Sequence, residues 1–189
     1  MTTLYAFTGK KGSGKSTAAK YVAEKTGAVR INFKDALVQE MKQNFPDLLE
    51  QILHNRWGSH MVCGLKVTID DLFDEKPPLM RTLLQNYGTD VRRKGDANYW
   101  VKAWEERYCQ AHPDPVVVDD CRFLNEVDAI RRYGGTIIRI VRTDIKSGGQ
   151  HVSETEQDSI VADYTIEVAE GEHDKLYEEL DKIIGATID

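Results

Sequence analysis

The stretch from Gly9 to Ser16 constrains this chain more than any other part of it. It reads GKKGSGKS, which fits the pattern G-x-x-x-x-G-K-S/T, and it follows the apolar run Leu4 to Thr8 and precedes a helical stripe of small apolar residues. A strand, a glycine loop and a helix in this order are the context in which the pattern builds a phosphate-binding loop. A plain glycine-rich turn would need neither the lysine nor the hydroxyl. The sequence therefore predicts a strand, loop and helix unit that binds a polyphosphate.

The residue types of the loop explain how it would hold phosphate. Its glycines let main-chain N–H groups approach phosphate oxygens without a Cβ in the way. The helix that follows adds its positive dipole end, and Lys15 reaches the outer phosphates. The Ser16 hydroxyl is placed to ligate Mg²⁺, with Thr17 as a second hydroxyl. We predict nucleotide contacts at Gly9, Lys11, Gly12, Ser13, Gly14, Lys15, Ser16 and Thr17.

The remainder of the chain alternates short apolar runs with helical stripes, which is typical of an α/β fold around a central parallel sheet. The run PVVVD, Pro115 to Asp119, is continuous and β-branched, so it favours a strand buried on both faces. Asp119 and Asp120 stand at its end, where a phosphate-loop protein holds magnesium. Asp119 is the preferred metal ligand because it directly follows the apolar run.

Length and pattern predict the organisation of the chain. Its 189 residues fit one domain spanning residues 1–189. Residues 45–78 lack a clear period and are interpreted as an insertion, and about 142–158 as a lid region. The stretch PLMRTLLQNYG predicts a helix that Gly88 ends. Arg81 and Gln85 share one face of that helix, because residues four apart are neighbours on a helical surface.

Composition narrows the partners and the compartment. The chain has 25 Lys and Arg against 31 Asp and Glu, a net charge of -6, so no overall basic field draws it to a nucleic acid polymer or an anionic membrane. No apolar run is long enough to cross a bilayer. The 3 cysteines contain no C-x-x-C pair, as expected of thiols kept reduced. These features predict a cytoplasmic protein with small-molecule partners.

A phosphate loop alone does not separate a kinase from a switch GTPase or a mechanical ATPase. A GTPase would carry an N-K-x-D segment that reads the base, and the sequence has none. A motor ATPase is usually larger or built from repeating subunits. The leading class is therefore a small-molecule kinase.

Three further segments carry a resemblance to one family. LLQNYGTDVRR (Leu83 to Arg93), VVVDDCRFLNEVDAIRRYGG (Val116 to Gly135) and HVSETE (His151 to Glu156) are similar to segments of phage-type deoxynucleoside monophosphate kinases. The resemblance implies an adenylate-kinase-like P-loop fold in which ATP, with Mg²⁺, gives its γ-phosphoryl group to a deoxynucleoside monophosphate (dNMP). The products would be ADP and the diphosphate, and the compartment would be the host cytoplasm if a phage encodes the chain.

The resemblance also implies where the acceptor binds. Physical chemistry agrees with part of it, because a phosphate monoester suits the bidentate guanidinium of Arg81 or Arg92, and the amide of Gln85 can pair with a base edge. Isolated arginines would be solvated surface, so it is the clustering of these arginines in one motif that favours a binding role. The implied acceptor residues are Lys34, Asp35, Arg81, Gln85, Thr89, Asp90, Arg92, Arg93, Asp120 and Arg122.

Two more arginines complete the predicted catalytic set. Arg122 follows the two acids closely, so a strand end would direct it to the crevice where α/β proteins bind ligands. Arg142 follows the apolar run TIIRIV and is the candidate for a lid arginine that closes over ATP and excludes water. With Lys15, these arginines would neutralise charge on the transferred group.

Two other functions stay open at this point. One is another small P-loop kinase that acts on a phosphorylated metabolite, of the phosphomevalonate or dephospho-coenzyme A type. The other is a nucleotide-dependent ATPase or assembly protein. The sequence also leaves open which bases are accepted, whether ribonucleotides are excluded, which residues hold adenine, and whether residues 45–78 build an acceptor lid or a homodimer face.

Overall fold

Short apolar runs form the strands of the molecule. They are β1 (Leu4–Thr8), β2 (Val29–Arg30), β3 (Met61–Val62), β4 (Leu65–Lys66), β5 (Val116–Val118), β6 (Thr136–Arg142) and β7 (Tyr164–Val168). Five of them make a sheet of order β2-β5-β1-β6-β7 in which every pair is parallel. β3 and β4 form a separate antiparallel pair. The strand that precedes the glycine loop, β1, therefore lies at the centre of the sheet.

The computed structural model describes residues 3–58, 61–62, 65–111, 113–144 and 156–188. Within these ranges, no helix combines the length and the apolar character needed to cross a bilayer. Most of the predicted lid region lies outside the described residues. The helices are α1 (Lys15–Thr26), α2 (Lys34–Asn44), α3 (Pro46–Trp57), α4 (Ile69–Glu75), α5 (Pro78–Gln85), a π-helix (Asn86–Arg93), α6 (Tyr99–Ala111), α7 (Leu124–Arg132), a 3₁₀-helix (Glu156–Ser159) and α8 (His173–Ile188).

The chain divides into two units. Met1–Phe33 and Val101–Asp189 form the first, which contains the parallel sheet and is called the sheet unit below. Lys34–Trp100 form the second, called the helical unit. The helical unit extends beyond both ends of the insertion expected at residues 45–78.

The parallel sheet is covered on both faces, because successive side chains of a strand point to opposite sides. Ala6 and its neighbours on one face pack with apolar residues of α6 and α7, including Trp104 and Ile130. On the other face, Phe7 packs with apolar residues of α1 and α8, such as Val22 of α1. These two layers confirm the predicted α/β fold.

Parallel pairing brings the carboxyl ends of the central strands to one edge. Ala6 of β1 lies opposite Val118 of β5, and Thr8 lies opposite Arg139 of β6. The glycine loop after β1 and the acids after β5 therefore emerge at the same edge, which is where open α/β sheets bind ligands.

Residues 45–78 have more structure than their sequence pattern indicates. They contain α3 and α4, which bury Leu49, Leu53 and Leu72 completely. These side chains join Met41 of α2 in one apolar cluster of the helical unit. The buried residues of α3, which are Leu49, Ile52 and Leu53, have helical spacing that sequence reasoning missed, whereas α4 has only 7 residues and gives a weak period.

The sequence predicted that the helix containing Arg81 ends at Gly88. In the structure, the helical chain continues past this residue. α5 passes directly into the π-helix, and Gly88 lies within it. The reason for the glycine is packing rather than termination. A Cβ on Gly88 would lie 3.1 Å from Leu37 Cδ2, and the Gly88 carbonyl accepts a hydrogen bond of 2.9 Å from Trp100 Nε1.

Candidate functional site

The glycine loop between β1 and α1 is shaped by its main chain. Gly9 has φ 140°, and a Cβ there would lie 2.3 Å from the carbonyl oxygen of Ile140. Only glycine tolerates this conformation at so close an approach to neighbouring backbone. The Ser13 amide donates to the Lys10 carbonyl at 3.1 Å and closes a turn. The loop is thus a backbone cradle at the first turn of α1.

Lys15 lies across this cradle and is only 8% exposed. Its ammonium group donates hydrogen bonds to the carbonyl oxygens of Gly9 at 2.5 Å and Lys10 at 2.7 Å, and to Ser13 Oγ at 3.4 Å. The positive charge is therefore held inside the loop by the loop itself. Because these acceptors hold the ammonium in one place, an anion that enters the loop meets a cation already in position.

The other predicted loop residues are where the pattern places them. Ser16 and Thr17 belong to the first turn of α1, and Ser16 is exposed while Thr17 is half-buried. Lys11 and Gly12 are exposed at the tip of the loop. Ser16, whose hydroxyl the motif requires, and the tip of the loop are therefore exposed to solvent.

The acid that ends β5 has a partner that sequence reasoning missed. Asp119 has a side chain that is 1% exposed, and its Oδ2 accepts a hydrogen bond from Arg30 Nη2 at the end of β2. The Asp119 amide donates to Asn32 Oδ1 at 2.8 Å. The neighbouring Asp120 accepts a hydrogen bond of 3.0 Å from the Phe33 amide. Both acids thus join β5 to the chain that follows β2.

The side chain of Arg122 is exposed, whereas its backbone is fixed. The Glu126 carboxylate accepts the amides of Arg122 at 2.7 Å and Phe123 at 3.2 Å, which caps the start of α7. Within the described part of the chain, no hydrogen bond or ion pair of the Arg122 guanidinium occurs. An arginine on a rigid turn with an open guanidinium suits an anionic ligand.

Arg142 lies at the end of β6, beside the loop. Its Nη1 is 3.5 Å from the Gly12 carbonyl oxygen, and its other nitrogens bind Asp144. The hydrogen bonds that Arg142 donates to Asp144 raise the pKa of Arg142 above its usual range. Arg139, by contrast, donates to the main-chain oxygens of Gln157 and Ile160 and supports the chain there.

Arg92 is enclosed by aromatic and acidic groups of the helical unit. Its guanidinium carbon lies 5.2 Å from the ring centre of Tyr87 and 5.1 Å from that of Tyr99. Arg92 Nη2 donates to Glu40 Oε1, which also accepts a hydrogen bond of 2.6 Å from the Tyr87 hydroxyl. The hydrogen bond with Glu40 raises the pKa of Arg92. Glu40 thus fixes the direction of an arginine that remains 35% exposed.

The other acceptor residues that the sequence suggested lie on the same helices. Arg81 and Gln85 are exposed on α5, and Arg93 donates to the Ala97 carbonyl at 3.2 Å. Lys34 and Asp35 form the first turn of α2, and Thr89 and Asp90 belong to the π-helix.

Arg30 and Glu40 are the two functional candidates that sequence reasoning did not find. Arg30 stands at the end of a strand, so the rule that strand ends form the ligand edge points to it. Glu40 offers no such signal, because a glutamate on a helix is usually solvated surface. Its role follows only from its contact with Arg92, 52 residues away in the chain.

The described residues contain no group of three or more His, Cys, Asp or Glu side chains arranged to hold a metal ion. Magnesium often binds with one or two protein oxygens and takes its other ligands from phosphate and water. The exposed Ser16 at the loop fits this kind of site. The buried and ion-paired Asp119 fits contact through a water molecule better than direct coordination.

A central parallel strand, a glycine loop that encloses a lysine, and a helix that begins at that lysine define the class of P-loop nucleotide-binding proteins. The TT1252 protein of Thermus thermophilus has a similar fold, with a TM-score of 0.52 and 17% sequence identity, covering 100% of this chain and 98% of that chain.

The chain belongs to the deoxynucleotide monophosphate kinase family, which it matches over residues 59–180. A protein of Acanthamoeba polyphaga mimivirus that carries this family name is 34% identical over 169 residues, which cover 83% of each chain. The deoxynucleotide monophosphate kinase of Escherichia phage RB69 is 32% identical over 109 residues, covering 56% of this chain and 44% of the phage protein. The chain is therefore a phosphotransferase of this family.

Proposed function

We propose that the chain transfers the γ-phosphoryl group of ATP to a deoxynucleoside monophosphate and gives a deoxynucleoside diphosphate and ADP. The observation that carries this proposal is the glycine loop with Lys15 enclosed in it, in a chain of the deoxynucleotide monophosphate kinase family. The RB69 and mimivirus relatives support deoxynucleotides as acceptors. A phage relative also supports the host cytoplasm as the compartment of the reaction.

The donor would lie in the sheet unit. Main-chain N–H groups of residues 9–14 would bind the phosphates, and Lys15 would exchange its loop acceptors for phosphate oxygens. Bound Mg²⁺ would neutralise charge on the polyphosphate. Ser16 would ligate this ion directly, and Asp119 through water. The accessibility of Ser16 and the burial of Asp119 support this division of roles.

The acceptor would be held by arginines and a glutamine. Arg81 and Gln85 are exposed together on α5, and Arg92 is partly exposed and held in direction by Glu40. A guanidinium that is already oriented loses less side-chain entropy when it binds a phosphate. We assign Arg92 to the acceptor phosphate and Gln85 to the base edge. Lys34, Asp35, Thr89, Asp90, Arg93 and Asp120 complete the proposed acceptor set.

The chemical step needs no covalent intermediate with the protein. An oxygen of the acceptor phosphate attacks the γ-phosphorus of ATP in line, and the bond from that phosphorus to the β,γ-bridging oxygen breaks, so that ADP leaves. Lys15, Arg122 and Arg142 would neutralise the transferring group. Catalysis would then come from positioning and electrostatics.

A screen of ADP release tests the function. ATP and Mg²⁺ are combined with each of the four dNMPs, with their ribonucleotide counterparts and with phosphorylated metabolites. We expect release to depend on at least one dNMP, with dNDP formed in equal amount. Release that is insensitive to every dNMP would indicate an ATPase. Release that responds only to another phosphorylated metabolite would indicate a different kinase.

The assignment of Arg92 has its own test. Arg92→Lys keeps the charge but loses the planar fork, so we expect the KM for dNMP to rise about tenfold and the KM for ATP to stay unchanged. Steady-state kinetics with each substrate varied in turn measure both values. An effect confined to ATP would show that Arg92 serves the donor.

A further inference from the structure

Arg142 is held from one side by a carboxylate two residues further along the chain. Asp144 Oδ1 accepts from Arg142 Nε at 2.8 Å, and Asp144 Oδ2 accepts from Nη2 at 2.7 Å. Two parallel hydrogen bonds fix both the position and the plane of a guanidinium. The Arg142 side chain is only 17% exposed, so packing restricts it further.

The other edge of this guanidinium is directed at the glycine loop. Nη1, which Asp144 does not bind, lies 3.5 Å from the Gly12 carbonyl oxygen. Glu170 is a second acid at the same guanidinium, but it makes a single contact of 3.4 Å and its side chain is 83% exposed. Of the two acids, only Asp144 makes the paired hydrogen bonds that orient the fork.

From this geometry we infer that Asp144 is a positioning residue, which holds Arg142 so that its Nη1 edge faces the phosphates bound in the loop. The inference builds on the proposed function, in which Arg142 neutralises the transferring phosphoryl group. An unrestrained arginine carries several rotatable bonds and loses their entropy when it binds. Asp144 removes that loss in advance, because the fork is already oriented before ATP enters.

The charge of Asp144 is suited to this task. The hydrogen bonds from Arg142 lower the pKa of Asp144 from 3.8 to about 2. The carboxylate therefore stays ionised at neutral and mildly acidic pH, and so does Arg142. The pair does not act as a pH switch in that range.

A double-mutant cycle tests the inference on the full chain. The variants are Asp144→Ala, Arg142→Ala and the pair together, with Glu170→Gln as the matched control for an acid at the same guanidinium. We expect Asp144→Ala to lower kcat about tenfold and to leave the KM for dNMP unchanged. In the Arg142→Ala background, the same change should have no further effect. Glu170→Gln should stay within about twofold of the wild type.

The same variants are also compared by their affinity for Mg-ATP, measured by calorimetry, because this measurement does not depend on turnover. We expect Asp144→Ala to weaken ATP binding only when Arg142 is present. Additive effects of the two substitutions on both kcat and affinity would overturn the inference, as would wild-type behaviour of Asp144→Ala. If dNMP-dependent transfer is absent but the affinity cycle is coupled, the proposed function fails and the positioning role stands.

Discussion

The sheet unit and the helical unit present their charged residues in different ways. In the sheet unit, Lys15 is enclosed by acceptors within a few residues of it in the chain, so a local pattern specifies the site. In the helical unit, Arg92 takes its direction from Glu40, which belongs to another helix. The difference indicates that the position of the Lys15 ammonium is encoded locally, whereas the direction of Arg92 depends on tertiary packing.

Lys15→Ala should have the largest effect and should separate chemistry from folding. Because the ammonium would stabilise charge that develops during transfer, we expect kcat to fall by at least about a hundredfold. Circular dichroism and thermal unfolding should change little. Lys20→Ala, on the exposed face of α1, is the matched control and should retain full turnover. Comparable turnover in the two variants would contradict the role of the loop cation.

Gly9→Ala should disrupt the loop, because its Cβ would lie 2.3 Å from a main-chain oxygen of β6. We expect loss of Mg-ATP binding, measured by calorimetry, and a clear loss of stability. The matched variant is Gly27→Ala at the end of α1, where φ is also positive but nothing lies within 4 Å of the added Cβ. Its cost should be about 1 kcal/mol, with ATP binding retained. Equal ATP affinities of Gly9→Ala and Gly27→Ala would show that ATP binding does not require the close approach of Gly9 to β6.

Glu40→Ala tests the helical unit. Glu40 is 15% exposed and accepts hydrogen bonds from Arg92, Tyr87 and Tyr99. We expect a loss of about 2 kcal/mol in the free energy of unfolding by urea, since an arginine loses its hydrogen-bonded counter-charge. The KM for dNMP should rise as well.

Glu75→Ala is the control for Glu40→Ala, because Glu75 also pairs with an arginine, Arg56, but both side chains are 51% exposed. An exposed pair of this kind contributes about 0–1 kcal/mol. Equal losses from the two variants would mean that Glu40 acts as an ordinary surface charge. A raised KM for ATP alone would place Glu40 in the donor site.

The smallest predicted effect concerns pH. The folded-state pKa of Asp144 is depressed to about 2, so its contribution to stability is complete above the ordinary carboxyl value and is lost as pH falls through about 2. Carbon NMR of the Asp144 carboxyl group should show a midpoint near this value. In Arg142→Ala, the midpoint should return towards 3.8. A normal midpoint in the wild type would contradict the paired geometry.

Much of the sheet unit could be predicted from the sequence. The bounds of β1 are those that its continuous apolar run predicts, and the resemblance to deoxynucleoside monophosphate kinases is confirmed at the level of the family. Buried parallel strands give a strong signal because both of their faces are apolar. The roles assigned to individual residues stay predictions.

The helical unit was harder to predict for physical reasons. α4 has only 7 residues and buries two side chains, so its apolar period is weak. Glycine is common at helix ends, but Gly88 lies within the π-helix and packs closely against Leu37. In the sheet unit, the ion pair between Arg30 and Asp119 was missed because it joins two strands that are neighbours only in the folded sheet. Contacts between residues distant in the chain leave no periodic trace in one sequence.

The π-helix gives the segment before Arg92 more residues than an α-helix with the same number of turns would hold. Each residue of an α-helix turns the chain by about 100°, and a π-turn takes up one residue more than an α-turn. Deleting a single residue between Gln85 and Arg92 would therefore let this segment close towards a regular α-helix, with the side chains before and after the deletion keeping nearly the same directions around the axis. A natural variant that lacks one residue here is expected to keep the pairing of Arg92 with Glu40.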